Sequence, residues 1–173
     1  GKWEDVDDLL TQSTEAAKRA HGVQTELIGM DEGQGKVPVN LIMVHAQDHI
    51  MTSMLARELI EEMINIHLER GKLLLAQKRL ADAEKEFKQA LSHAPNDAYA
   101  MAWLAECYLS GKRYAEALEL GERAMGHAPN DPFLLYTMAR AYFYNQNTKK
   151  AREMIRQGLQ LNPADADFFL LLA

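Results

Sequence analysis

The hydrophobic pattern divides the chain into two regimes. From residue 64 onward, apolar and small positions recur every 34 residues. Pro95, Pro129 and Pro163 mark the interval, and Ala83, Ala117 and Ala151 keep the same step. So do Gly71, Ala105, Ala139 and Ala173, then Phe87, Gly121 and Ile155, then Ala90, Ala124 and Gly158. Between prolines the pattern gives two amphipathic stretches, with breaks near Gln77-Lys78, Gly111-Lys112 and Gln146-Asn147. Small residues at fixed helical spacing let two helices approach closely, and each proline ends the second helix of a pair.

Residues 1–63 show none of this period. Val6, Leu9, Leu10, Ala16, Ala17, Ala20, Val23, Leu27 and Ile28 recur at three- and four-residue steps, which predicts a helix over 3–32. Asp31-Glu32-Gly33-Gln34-Gly35 ends it, and Pro38 sits where a second helix should start. From Val39 the helical pattern continues without a breaker to about Gln77, roughly 60 Å of helix. There is no Pro between Pro38 and Pro95, and Gly71 is the sole Gly between Gly35 and Gly111. The expected boundary between the two regimes therefore falls inside a helix, where natural domains usually change in a flexible, polar stretch.

One stripe of the second helix reads Leu41, Val44, Asp48, Met51, Leu55 and Leu59. Asp48 interrupts an otherwise apolar seam. A buried carboxylate must be protonated, paired or bound to a cation. If the seam is the axis of a symmetric oligomer, each subunit adds a carboxylate at the same height, and a metal ion or shared protons are needed. If Asp48 lies at the seam edge, it is simply hydrated. His45 and His49 stand one turn apart on the same side. That spacing suits a transition metal given a third ligand, a phosphoryl acceptor, or two surface histidines.

Composition narrows the function classes. The 173 residues are 47% hydrophobic and 25% charged, as expected of a globular protein. The net charge of −6 is uneven: residues 1–70 hold 6 basic and 13 acidic groups, residues 71–173 hold 13 and 12. Neither half offers the basic face that nucleic acid requires. Cys107 is the only cysteine and sits in an apolar helical stretch, which reads as a small core residue and excludes an internal disulfide. No apolar run reaches the length of a membrane span and no signal peptide is visible, so a cytoplasmic, reducing setting is expected.

The 34-residue pattern resembles the tetratricopeptide repeat (TPR), with repeats over 64–97, 98–131 and 132–165 and a fourth that begins at Ala166. The ending Phe168-Phe169-Leu170-Leu171-Leu172-Ala173 is apolar where a capping helix should be polar outside, so it reads as truncated or covered by a partner. The resemblance implies a binding scaffold whose first helices line a groove. By repeat position that groove carries Lys72, Tyr99, Ala102, Glu106, Phe133, Tyr136, Arg140 and Phe143. A carboxylate clamp of the family would want Asn where Glu106 stands. The aromatic residues suit an apolar or helical segment instead.

The first half carries His21-Gly22-Val23-Gln24-Thr25-Glu26-Leu27-Ile28, Gly35-Lys36-Val37, and a long run from Leu41 to Ile60 that includes His45-Ala46-Gln47-Asp48-His49. Residues 1–67 resemble the IIA component of the lactose/chitobiose (cellobiose) phosphotransferase system. The resemblance implies a phosphohistidine at His45. It places Asp48 at the threefold axis of a homotrimer, holding a metal ion such as Mg²⁺. It names the histidine phosphocarrier protein and a IIB component as partners. It also implies a protomer of three helices, of which this sequence shows the second and third.

These readings combine into an all-α chain. A helical hairpin over 1–67 trimerises into a bundle and continues through one long helix into a TPR solenoid over 64–173. Two architectures joined without a linker predict an engineered fusion, in which a trimerising module displays rigid TPR arms. The alternative is a IIA phosphocarrier, an enzyme-like phosphoryl relay for disaccharide uptake, with an added TPR module that binds a protein or peptide.

Overall fold

The computed structural model describes residues 11–12, 15–16, 18–23, 25–26, 41–164 and 166–172. Among them every regular element is an α-helix and no strand occurs. The described positions between 11 and 26 are all helical, as the periodicity predicts. The rest of the expected 3–32 helix, the glycine turn and Pro38 lie outside the described residues. Seven helices follow: α1 Leu41–Ala76, α2 Leu80–His93, α3 Ala98–Ser110, α4 Tyr114–His127, α5 Pro132–Tyr144, α6 Thr148–Leu161 and α7 Ala166–Leu172. The chain forms two compact units, Gly1–Glu61 and Glu62–Ala173.

The 36 residues of α1 contain no proline, and most have good helix propensity. Its end and the two matching helix ends share one device. Lys78, Lys112 and Gln146 adopt left-handed backbone with φ of 60°, 61° and 62°. The next residue donates its N–H back to a carbonyl five positions earlier: Arg79 to Leu74, Arg113 to Tyr108, Asn147 to Tyr142, at 2.8–2.9 Å. In the second of these turns the left-handed residue is Lys112, although glycine occupies the position before it. Gly111 has φ −83° and ends α3 as an ordinary cap. The loops that follow the prolines are closed by side chains. Asp97 accepts from the Ala100 N–H and Asp131 from the Leu134 N–H, each at 2.8 Å, satisfying one orphan donor per helix.

Packing in the second unit rests on side chains set against small residues. A β-carbon at Gly71 would meet the Phe87 ring at 2.5 Å, one at Gly121 would meet Met138 Sδ at 2.2 Å, and one at Gly158 would meet the Phe168 ring at 2.2 Å. Ala83, Ala117 and Ala151 are buried at their shared repeat position, as are Ala90 and Ala124 at theirs. Contacts between α2 and α3, between α4 and α5, and between α6 and α7 link one repeat to the next. Three buried clusters result, the first around Phe87 and Leu104, the second around Met101 and Met138, the third around Leu135 and Phe168.

Cys107 is a core residue, as its setting predicts. It is buried and its thiol donates to the Leu80 carbonyl at 3.4 Å, tying α3 to α2. Burial pushes its pKa up to about 11. Burial, followed by a hydrogen bond to Glu122, pushes Tyr142 up to about 12.

Two outcomes follow from this packing. Gly158→Ala should cost roughly 1–3 kcal/mol by overpacking against Phe168. Gly126→Ala, where a β-carbon meets nothing within 4 Å, should gain about 0.5–1 kcal/mol. Urea unfolding of the two variants would show opposite shifts, and equal shifts would contradict the close approach. The pH dependence has a definite sign. Cys107 and Tyr142 hold their protons more tightly folded than unfolded. Their contribution is complete below about pH 8.5 and declines as the pH rises toward the folded values. A urea midpoint that is flat across the alkaline range would contradict it.

Candidate functional site

The first candidate site lies on α1. His45, Asp48 and His49 share the helix, and the backbone of all three is helical. The side chain of His45 lies outside the described residues. Thr52 Oγ1 donates to the Asp48 carbonyl at 2.6 Å and Ser53 Oγ to the His49 carbonyl at 2.7 Å. These bonds engage backbone carbonyls and leave the Asp48 carboxylate oxygens to other partners. The Asp48 side chain is exposed in the single chain. Among the described residues no group of three His, Cys, Asp or Glu side chains is placed to hold a metal ion.

Around Asp48 the helix presents apolar side chains to solvent. Met51, Leu55 and Leu59 are 47%, 56% and 56% exposed. They are the described part of the predicted seam; the side chains of Leu41 and Val44 lie outside the described residues. A bare stripe of large residues at three- and four-residue steps is unusual on a monomer's surface. Beyond Leu59 the same helical phase mixes carboxylates with apolar side chains: Glu62 and Glu69 alternate with Ile66 and Leu73, which are also exposed.

The second candidate site lies on α1, α3 and α5 within the second unit. Lys72 Nζ stands 4.8 Å from the Tyr99 ring centre and 5.2 Å from that of Trp103. Trp103 packs on Phe133 at 4.5 Å and meets Tyr99 edge-on at 6.1 Å. Lys72 also donates to Glu69 at 2.6 Å. Burial opposes its charge, but hydrogen bonds to Glu69 and Tyr99 outweigh it and raise its pKa. One repeat further on, Arg140 donates to Glu106 at 2.5 Å and lies over Tyr136 at 5.6 Å. Burial again opposes the cation and the Glu106 bond retains it. Both predicted groove cations are thus compensated within the fold.

Contacts join the groove residues in smaller sets. Lys72, Tyr99 and Phe133 are brought together, and Glu106, Tyr136 and Arg140 form a neighbouring set. Phe143 is 61% exposed and meets Tyr144 instead. Ala102 is a correction: it is buried in the second core cluster and offers no surface to a ligand. Close packing of α3 against α4 and α5 is what encloses it. Trp103, absent from the predicted set, is the centre of the aromatic cluster. Its signal was available, since it lies one turn beyond Tyr99 on the same helix. The indole Nε1 of Trp103 and Oε2 of Glu106 are buried without a hydrogen-bond partner, a donor and an acceptor one turn apart on α3.

Known proteins divide the chain at residue 68, a few residues beyond the boundary of the two compact units. Residues 1–68 match the family described as the lactose/cellobiose-specific IIA subunit of the phosphotransferase system. Residues 68–132 and 110–173 match tetratricopeptide repeats. The N,N'-diacetylchitobiose-specific EIIA component of Escherichia coli K12 is 59% identical over 59 residues, 34% of this chain and 51% of that protein. The lichenan-specific IIA component of Bacillus subtilis is 37% identical over 67 residues, 39% of this chain and 61% of that one. The chain thus spans about half the length of the first of these relatives. Among solved structures, the first TPR domain of human RPAP3 gives a TM-score of 0.61 at 18% identity, covering 64% of this chain and 87% of that one. The Sgt2 TPR domain of Aspergillus fumigatus gives 0.60 at 22%, covering 63% and 74%. At such identities the likeness is one of fold. The chain carries a lactose/cellobiose-type IIA domain in residues 1–68, followed by tetratricopeptide repeats.

Proposed function

We propose that the chain joins a phosphohistidine carrier module to a protein-binding module. The observation that carries the first part is the intact His45-Ala46-Gln47-Asp48-His49 block on a helix within a stretch 59% identical to a chitobiose IIA component. An imidazole nitrogen is a competent nucleophile near neutral pH. In this reading His45 takes a phosphoryl group from the histidine phosphocarrier protein: a new N–P bond forms as the donor's N–P bond breaks. It then yields the group to a cysteine of a IIB component. The helix without a membrane-spanning apolar length fits a cytoplasmic relay.

Assembly belongs to the same proposal. Three copies meeting along Met51, Leu55 and Leu59 would cover the exposed stripe, and would bring three Asp48 carboxylates to one axis. Three carboxylates supply up to about six oxygens, a donor set suited to a hard cation such as Mg²⁺. In the TPR half the compensated cations argue against a carboxylate clamp. The Tyr99–Trp103–Phe133 cluster favours an apolar or helical segment of a protein partner.

A second reading has its own observation. Helix α1 runs unbroken from Leu41 to Ala76, through residue 68, where the first family match ends and the second begins. That continuity fits an engineered fusion in which the IIA-like module assembles copies and displays TPR arrays. Incubation with purified phosphotransferase donor proteins separates the readings. The carrier reading expects acid-labile phosphate on the wild-type chain, lost in His45→Gln and kept in His49→Gln. No phosphate on a folded chain leaves the scaffold reading, and phosphate on His49 overturns the assignment of His45.

The axial carboxylates give a further expected outcome. Asp48→Leu should stabilise the assembly by roughly 1–4 kcal/mol, because a packed apolar side chain avoids the desolvation of a charge. The gain should be largest in chelator, where no cation offsets the mutual repulsion. Thermal unfolding of the variant at or below the wild-type temperature in chelator would show that Asp48 stays hydrated.

A further inference from the structure

Repeats two and three each meet the helix before them with three apolar side chains. In repeat two these are Met101, Leu104 and Leu120; in repeat three they are Leu135, Met138 and Met154. The first two of each trio are buried, and the third is partly buried. Each trio faces a residue of the preceding repeat, Leu91 in the first case and Met125 in the second. The trios occupy the same positions, 34 residues apart.

The same positions in repeat one hold His67, Arg70 and Glu86. The first two of these both meet the third. His67 Nδ1 lies 2.8 Å from Glu86 Oε2, and Arg70 Nε lies 3.5 Å from Glu86 Oε1. Glu86 is one of two polar residues in the whole described set that count as buried. The cavities repeat the comparison. A cavity of about 410 Å³ between repeats one and two sets Leu104 and Leu120 against Leu91 and Pro95, with Lys88, Glu116, Glu119 and Arg123 also on its wall. Its counterpart one repeat earlier, about 230 Å³, likewise carries charges at the positions of Glu116 and Glu119, as Asp82 and Lys85, but has Arg70 and Glu86 where the later one has Leu104 and Leu120. Bulk changes together with polarity. Leu73 is 64% exposed and stands where Cys107 and Ala141 are small and buried, so a closely packed helix would collide with it.

The geometry points to a polar end cap: His67, Arg70 and Glu86, with Leu73 beside them, end the repeat stack and refuse the apolar helix of another repeat, including one from a second copy. Stacked repeats bury each other's faces, so an end left apolar is an open site for head-to-tail association. The cluster satisfies its own charges and so leaves nothing there for an apolar neighbour to gain. This role is independent of the proposed phosphoryl and assembly functions.

The test restores the interior pattern at the edge with His67→Met, Arg70→Leu, Leu73→Ala and Glu86→Leu in the full chain. Circular dichroism checks folding, and sedimentation velocity compares variant and parent over the same concentration series. The end cap predicts an unfolding temperature near the parent's and a weight-average mass that rises above the parent's with concentration. An ion cluster that only staples α1 to α2 predicts the reverse, a lower unfolding temperature with the parent's mass, and that result overturns the proposal. If the fourfold variant loses its helical signal, Arg70→Leu/Glu86→Leu repeats the comparison under the same two outcomes.

Discussion

The second unit depends on one constraint, that helices approach closely enough for a ring or thioether to occupy the space a β-carbon would fill. Gly71 receives Phe87, Gly121 receives Met138, and Gly158 receives Phe168. The glycines do not share one repeat position. Gly121 stands where the other repeats have Phe87 and Ile155, and Gly158 stands where they have Ala90 and Ala124. What is kept from contact to contact is the lack of room for a β-carbon, because interiors pack to near-crystalline density and tolerate neither a void nor an added methyl. Proline spacing, aspartate caps and left-handed turns fix where each helix starts and stops.

The same economy governs charge. Lys72 is held by Glu69 and the Tyr99 and Trp103 rings, Arg140 by Glu106, and Glu84 accepts from both Lys88 and Arg113. The hydrogen bonds from Lys88 and Arg113 hold the Glu84 carboxyl below the usual carboxylate range, outweighing the larger upward effect of its burial. A face whose cations are already satisfied has little left for an acidic ligand, and recognition falls to the aromatic rings. The first unit works oppositely. Its described apolar stripe on α1, Met51, Leu55 and Leu59, is exposed in the single chain, and so is Asp48.

Much of this was legible in the sequence. A period of 34 residues with small residues in register fixes helix pairs, because nothing else explains alanine and glycine at matched helical positions. The long helix was legible from the absence of breakers between Pro38 and Pro95. Burial was less so. Ala102 fell on the groove side by repeat position, yet α4 and α5 enclose it, and periodicity carries no information on how tightly a neighbour closes. Trp103 was passed over because repeat position, not chemistry, selected the groove set. The left-handed residue at Lys112 rather than Gly111 shows a tertiary register overriding a local preference: the turn must begin at the same point in each repeat. His67, Arg70 and Glu86 read as ordinary helix-surface charges until set beside Met101, Leu104 and Leu120.

We propose that further copies of the same chain cover the exposed stripe on α1, with Asp48 on their common axis. The mass of the intact particle in solution bears on this most directly. Light scattering at micromolar concentration should give about three times the 19.5 kDa of one chain. A folded particle of a single chain's mass at that concentration would contradict it.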